Sequence, residues 1–211
     1  MRVFTHLYDS YDDARQTVQA LEAAGISHAD ISIVSNNADE RNALSSTTTG
    51  TGTGTGATDD TRAGTGASAG TLVGGGVGLL TGLGLLAIPG VGPVVAAGWL
   101  IATITGAGIG AAGGGLLGSL VHAGVPEEHA HTYAEGVRRG GTLVTVRGED
   151  SQAATIDAVL DGRTASAVDV TARRADYQTG GWEKFVDTAP EYTAEQLEAE
   201  RSRRLGVTKA T

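Results

Sequence analysis

The residues nearest to a metal-binding set are His129 and His131, with Glu127, Glu128 and His122 close by in the chain. A helical zinc pair normally sits at i and i+4, so that both imidazoles face one side. His129 and His131 are two apart and point to different faces of a helix. That spacing predicts solvated residues at a helix start and no metal site. Histidine titrates near neutrality, which would leave this junction pH-sensitive. Gly64-Thr65-Gly66 and Gly106-Ala107-Gly108 come closest to a phosphate-cradling loop. Neither directly follows a strand pattern, and no Gly-Lys-Ser/Thr is present, so a helix-packing role explains them better. Asp9 and Asp150 stand at equivalent strand ends, each before a serine, where helix-start chemistry accounts for them. No nucleophile, base and orienting group come together in the pattern. The chain has no cysteine, which excludes disulfides and thiolate metal ligands. The expectation is a non-enzyme with no catalytic residue, no cofactor and no metal.

What does organise the chain is a stretch of 64 residues, 63 to 126, without an acidic residue, a lysine or an arginine. Glycine recurs there every fourth position. Gly66, Gly70, Gly74, Gly78 and Gly82 form one series; Gly98, Gly106, Gly110, Gly114 and Gly118 form another, with Ala102 in the missing place. On a helix, i and i+4 share a face. A column of glycines lets a second helix approach backbone to backbone, as in small-xxx-small packing in lipid. Each interior glycine costs a helix about 1 kcal/mol relative to Ala, so close packing must compensate. Between the series lie Pro89, Gly90, Gly92 and Pro93, which end one helix and begin another. The spacing predicts an antiparallel helical hairpin, 67–88 and 93–123, each arm roughly 30 Å or more, the depth of a hydrocarbon core. Trp99 would sit near the turn, as a membrane-interface aromatic can.

The formal charge is −9, with 15 Lys and Arg against 24 Asp and Glu, which argues against nucleic-acid partners. Met1-Arg2-Val3-Phe4 leads straight into a strand pattern without a signal-peptide core. The expectation is a cytoplasmic start. A spanning hairpin would then leave both termini cytoplasmic, with Arg62, Arg138 and Arg139 on that side.

Around the insert the pattern is that of a small α+β unit. Residues 2–8 alternate as a strand. Ser10-Tyr11-Asp12-Asp13 resembles a capping box. Ala14, Val18 and Leu21 form a helical stripe that Gly25 stops. Residues 31–35 make a second strand. The order repeats after the insert: a strand at 142–147, a helix carrying Ile156, Val159 and Leu160, and a last strand at 167–171. A helix from Pro126, with Ala130, Tyr133, Ala134 and Val137 inward, precedes that second half. Two such halves predict a ferredoxin-like βαβ–βαβ sandwich, with both helices on one face and a glycine-zipper helical hairpin inserted between them. The predicted organisation is 1–36 for the first half, 37–66 for a Thr/Gly-rich flexible linker and 67–124 for the hairpin. The connecting helix and second half follow at 125–172, and a polar, solvated tail at 173–211.

Val3-Phe4-Thr5-His6-Leu7-Tyr8-Asp9-Ser10-Tyr11-Asp12-Asp13-Ala14, Leu21-Glu22-Ala23-Ala24-Gly25-Ile26 and Asp30-Ile31-Ser32-Ile33-Val34 are joined by a later run, Tyr133-Ala134-Glu135-Gly136-Val137-Arg138-Arg139-Gly140-Gly141. With the turn 87–93, these resemble the bacterial general stress protein 17M-like (heat-induced stress protein) domain family, in a form with a glycine-rich middle. The resemblance implies expression under stress and supplies no catalytic residue.

Two functions fit. One is a stress-response protein whose hairpin associates with the membrane or with further copies of the chain through its glycines. The other is a soluble regulatory or ligand-binding module that uses the hairpin as an oligomerisation arm.

Overall fold

The structure, a computed structural model, describes residues 1–36, 84–106, 115–162 and 167–208. It opens with β1 (Arg2–Tyr8), α1 (Tyr11–Ala23), a single 3-10 turn at His28–Asp30 and β2 (Ile31–Ser35). The helical stripe is as expected: Ala14, Val18 and Leu21 are fully buried. Ser10 is the N-cap of α1, but its side chain makes no capping hydrogen bond. The predicted capping box is therefore not formed.

The apolar stretch is where the described fold departs from expectation. Residues 84–98 are not helical. β3 (Gly84–Ile88) and β4 (Gly92–Gly98) form an antiparallel hairpin, with Ile88 opposite Gly92 and Gly84 opposite Ala96. Pro89 and Gly90 make its turn. The Val91 amide donates to the Ile88 carbonyl at 3.0 Å, and Gly90 has φ +74°. Proline at the second position and a left-handed glycine at the third are what a type II turn requires. β4 then pairs with β2, Ser35 facing Val95 and Ser32 facing Gly98. Helix resumes only afterwards, as α2 (Trp99–Gly106) and α3 (Gly115–His122).

α4 (Glu127–Arg138) leads into β5 (Thr142–Gly148), which lies between β1 and β2 and is antiparallel to both. The sheet order is β1-β5-β2-β4-β3. α5 (Ala153–Asp161) follows, with Gln152, not Ser151, as its N-cap. The expected last strand shrinks to one bridge, Ala167 beside Tyr8. The chain turns helical again at Val170, where Asp169 accepts from the Thr171 and Ala172 amides at 2.8 and 3.0 Å. That cap starts α6 (Val170–Thr179), and α7 (Ala194–Thr208) follows.

The sheet is covered on both faces, not one. Side chains alternate across a strand, so Leu143 looks one way and Val144 and Val146 the other. On the second side Val144 and Val146 meet Val18 and Leu21 of α1 and Ile156 and Leu160 of α5. On the first, Leu143, Leu7 and Val34 meet Leu100, Ile104, Leu116, Leu120, Ala134 and Val137. The described ends of the insert thus complete the core.

The tail beyond 173 is not a solvated extension. Tyr177, Phe185 and Leu197 are buried, and Phe185 joins the same cluster as Leu100 and Leu116.

Candidate functional site

The glycines expected to pack helices have three fates. Gly66, Gly70, Gly74, Gly78, Gly82, Gly110 and Gly114 lie outside the described residues. Gly106 closes α2 and Gly118 lies within α3. Gly98 ends a strand, at φ +97°, and a Cβ there would run into the Ile31 carbonyl and come within 2.6 Å of the Ser32 Cα. Of the turn residues, Pro89 and Gly90 form the bend, while Gly92 and Pro93 begin β4.

His131 Nε2 lies 3.8 Å from Glu127, one helical turn back, whereas His129 meets the Tyr133 ring edge-on. Among the described residues no three His, Cys, Asp or Glu side chains gather as a metal site would need. Among them, too, no helix is long and apolar enough to cross a membrane.

The densest chemistry lies where α4, the end of β1, α6 and α7 converge. α4 carries the run Tyr133–Gly141, and the fold shows what each residue in it does. Ala134 and Val137 fill the core. Tyr133 donates its hydroxyl to the Thr5 carbonyl at 3.0 Å, and burial pushes its phenol up to about 12. At Gly136 a Cβ would meet the Cδ atoms of Leu7, so a larger residue there would require the Leu7 side chain to shift. Glu135 has a fully buried side chain that accepts from Arg139 Nε at 2.6 Å and from Arg138 at 3.3 Å. A carboxylate so far from water is tolerable only when its charge is paired.

Arg139 is the hub. Its guanidinium stacks 4.3 Å from the Tyr177 ring centroid and 5.8 Å from that of Tyr192, and approaches Glu200 at 3.6 Å. Burial alone would lower its pKa; the bond to Glu135 and that partner's charge raise it on balance. A second knot ties β1 to the C-terminal helices. Asp9 accepts from both terminal nitrogens of Arg173, at 2.8 and 2.6 Å, and from Arg204 at 3.3 Å. Glu200 also accepts from Arg204 at 3.3 Å. Such bidentate, charge-assisted pairs combine strength with fixed geometry. Every carboxylate here has its arginine, so this is the chemistry of clamping, without a base or nucleophile aimed at open space.

The cluster has a pH signature. Burial works to raise the Asp9 carboxyl, but the bonds and charges of Arg173 and Arg204 outweigh it and hold it below its ordinary 3.8. A depressed folded pKa stabilises fully above the unfolded value and is lost as pH falls through the folded one. Stability to urea should therefore drop below about pH 4, and Asp9→Asn should remove part of that slope. An unchanged slope in the variant would show that Asp9 is not held as described.

Residues 3–85 match the family model of the heat induced stress protein YflT domain. That is the stress-protein family the sequence resembles. The matched stretch holds β1, α1 and β2 and ends just inside β3; α4 and the arginine cluster lie beyond it. No curated protein and no solved structure matches the chain. The match is a likeness over 83 of the 211 residues. Sequence reasoning missed the cluster because Asp9 is 164 residues from Arg173 and 195 from Arg204. The only local hint was Glu135, an acid at a position that the helical period turns inward.

Proposed function

We propose that this chain is a non-enzymatic stress-response module that works by association, with its apolar insert as a self-association arm. What supports this is the burial of the insert's described ends on the chain's own sheet. Leu100 and Leu120 are 0% exposed and Leu116 is 1% exposed. Full burial of one such side chain stabilises by about 1.5–3 kcal/mol relative to water, and drawing these ends off the sheet would bare Leu7, Val34 and Leu143, which they cover. We read the core as ferredoxin-like: β5 sits between β1 and β2, α1 and α5 share a face, and Ala167 marks the place of a fourth strand. The insert then covers the face such a sandwich leaves open. The glycines outside the described residues, Gly70, Gly74, Gly78, Gly110 and Gly114, would pack one copy against another.

Light scattering tests this on the full chain. Gly78→Leu and Gly110→Leu should each reduce the particle size if the glycine columns pack copies together. Equal size in both variants and the wild type would overturn it. The uncharged length of 63–126 keeps a membrane-associated form as the second reading. In that case the protein would stay with the membrane fraction after a carbonate wash. Extraction into the wash supports the association module.

A further inference from the structure

We propose that residues 180–204 form a releasable strap that holds the β3–β4 hairpin down, and that its release as a unit frees the insert for association. This rests on the association reading above and adds its control. The strap crosses the hairpin turn directly. A Cβ on Gly90 would lie 2.5 Å from the Asp187 Cα, and one on Gly92 would lie 3.0 Å from the Glu191 carboxylate. It then passes over the end of α4, where Arg138 donates to the Pro190 carbonyl at 2.7 Å and lies 5.1 Å from the Tyr192 ring centroid. Its last part is α7, docked by Leu197 against Gly140 and by two ionic ties, Glu200 to Arg139 and Arg204 to Asp9.

The way the strap is held differs from the way the sheet is held. β1, β5 and β2 are joined by continuous ladders; β2 and β5 are buried on both faces, and β1 is buried at Leu7 and Tyr8. The strap is held by two buried apolar anchors, Phe185 and Leu197, by the half-buried Trp182 packed against the core and Tyr177, and by charged and aromatic contacts at its rim. Units with few apolar contacts open first and can open while the rest stays folded. Opening this one leaves Glu135 paired with Arg139 and Asp9 paired with Arg173, because those bonds do not involve the strap. The core therefore keeps its buried charges satisfied when the strap leaves. What opening uncovers is the glycine turn, the buried Val91 beside it, and the strap-facing side of Arg138 and Arg139. The hairpin it frees is where the apolar insert joins the sheet.

The test is amide hydrogen exchange and light scattering on the full chain carrying Glu200→Gln and Arg204→Gln together. Leu197→Ala serves as an independent variant that removes an apolar anchor and leaves the charges. Exchange across 180–204 should rise roughly tenfold in either variant while β1, β2 and β5 stay at wild-type rates. Mean particle size at fixed concentration should increase with it. If strap and sheet amides accelerate together, the strap belongs to the core and the proposal is overturned. If the strap opens and particle size does not change, the gating is overturned. Failure of the association reading itself shows elsewhere, in glycine variants of unchanged size.

Discussion

Gly98→Ala is expected to lower the unfolding free energy by about 3 kcal/mol, from left-handed backbone strain together with overpacking. Gly98 sits at φ +97°, where an L side chain is strained whatever space surrounds it. Here there is no space either. The new Cβ would be driven into the Ile31 carbonyl and the Ser32 Cα, both backbone atoms of the neighbouring strand. A flexible side chain could swing away; a paired strand cannot, because β2 is locked between β5 and β4. The variant must either spread β2 from β4 or lose the bend that turns β4 into α2. Urea unfolding followed by Trp99, the next residue, reads this directly. A variant within about 0.5 kcal/mol of wild type, the range of ordinary surface changes, would mean that Gly98 does not hold this position.

Glu135→Gln should cost about 2–3 kcal/mol in the same measurement, somewhat less than the 3–5 of a fully buried broken pair. The discount has a structural reason. The Glu135 side chain is 0% exposed, but those of Arg138 and Arg139 are 12% and 14% exposed and can recruit water. Arg139 also keeps Glu200 and the Tyr177 ring when Glu135 loses its charge. Glutamine preserves shape, so the loss isolates charge from packing. The effect should also be sensed at a distance, as weaker docking of α7, since Arg139 touches Glu135, Tyr177, Tyr192 and Glu200 alike. A near-neutral Glu135→Gln would mean that the carboxylate is solvated in solution.

Much of the first half was legible because its signals are local. Alternation in 2–8, the stripe Ala14, Val18 and Leu21, and Gly25 after α1 each act within a few residues, and each appears where expected. Pro126 and the acids after it opened a helix for the same reason, with Pro126 as its N-cap. Residues 84–98 misled because a spacing of four is a statement about helices only. Gly98 belongs to that series by count, yet its glycine is required by a strand end and a close backbone approach. Val94 and Val95 after a Pro-Gly turn were the strand signal, and β-branched residues favour it. Local pattern could not reveal that the edge of β2 was open for β4 to pair with.

From its sequence alone, the chain determined the first βαβ unit, the helices α1, α4 and α5 and the turn at Pro89-Gly90. These depend on backbone preference and on which side chains avoid water over short spans. Only the tertiary structure decided that residues 84–98 extend the sheet, that both its faces are covered, and that the tail closes over α4. Those outcomes depend on open strand edges and unpaired charges meeting partners far along the chain. A carboxylate such as Asp9 selects its arginines by distance in space, which no period in the sequence encodes.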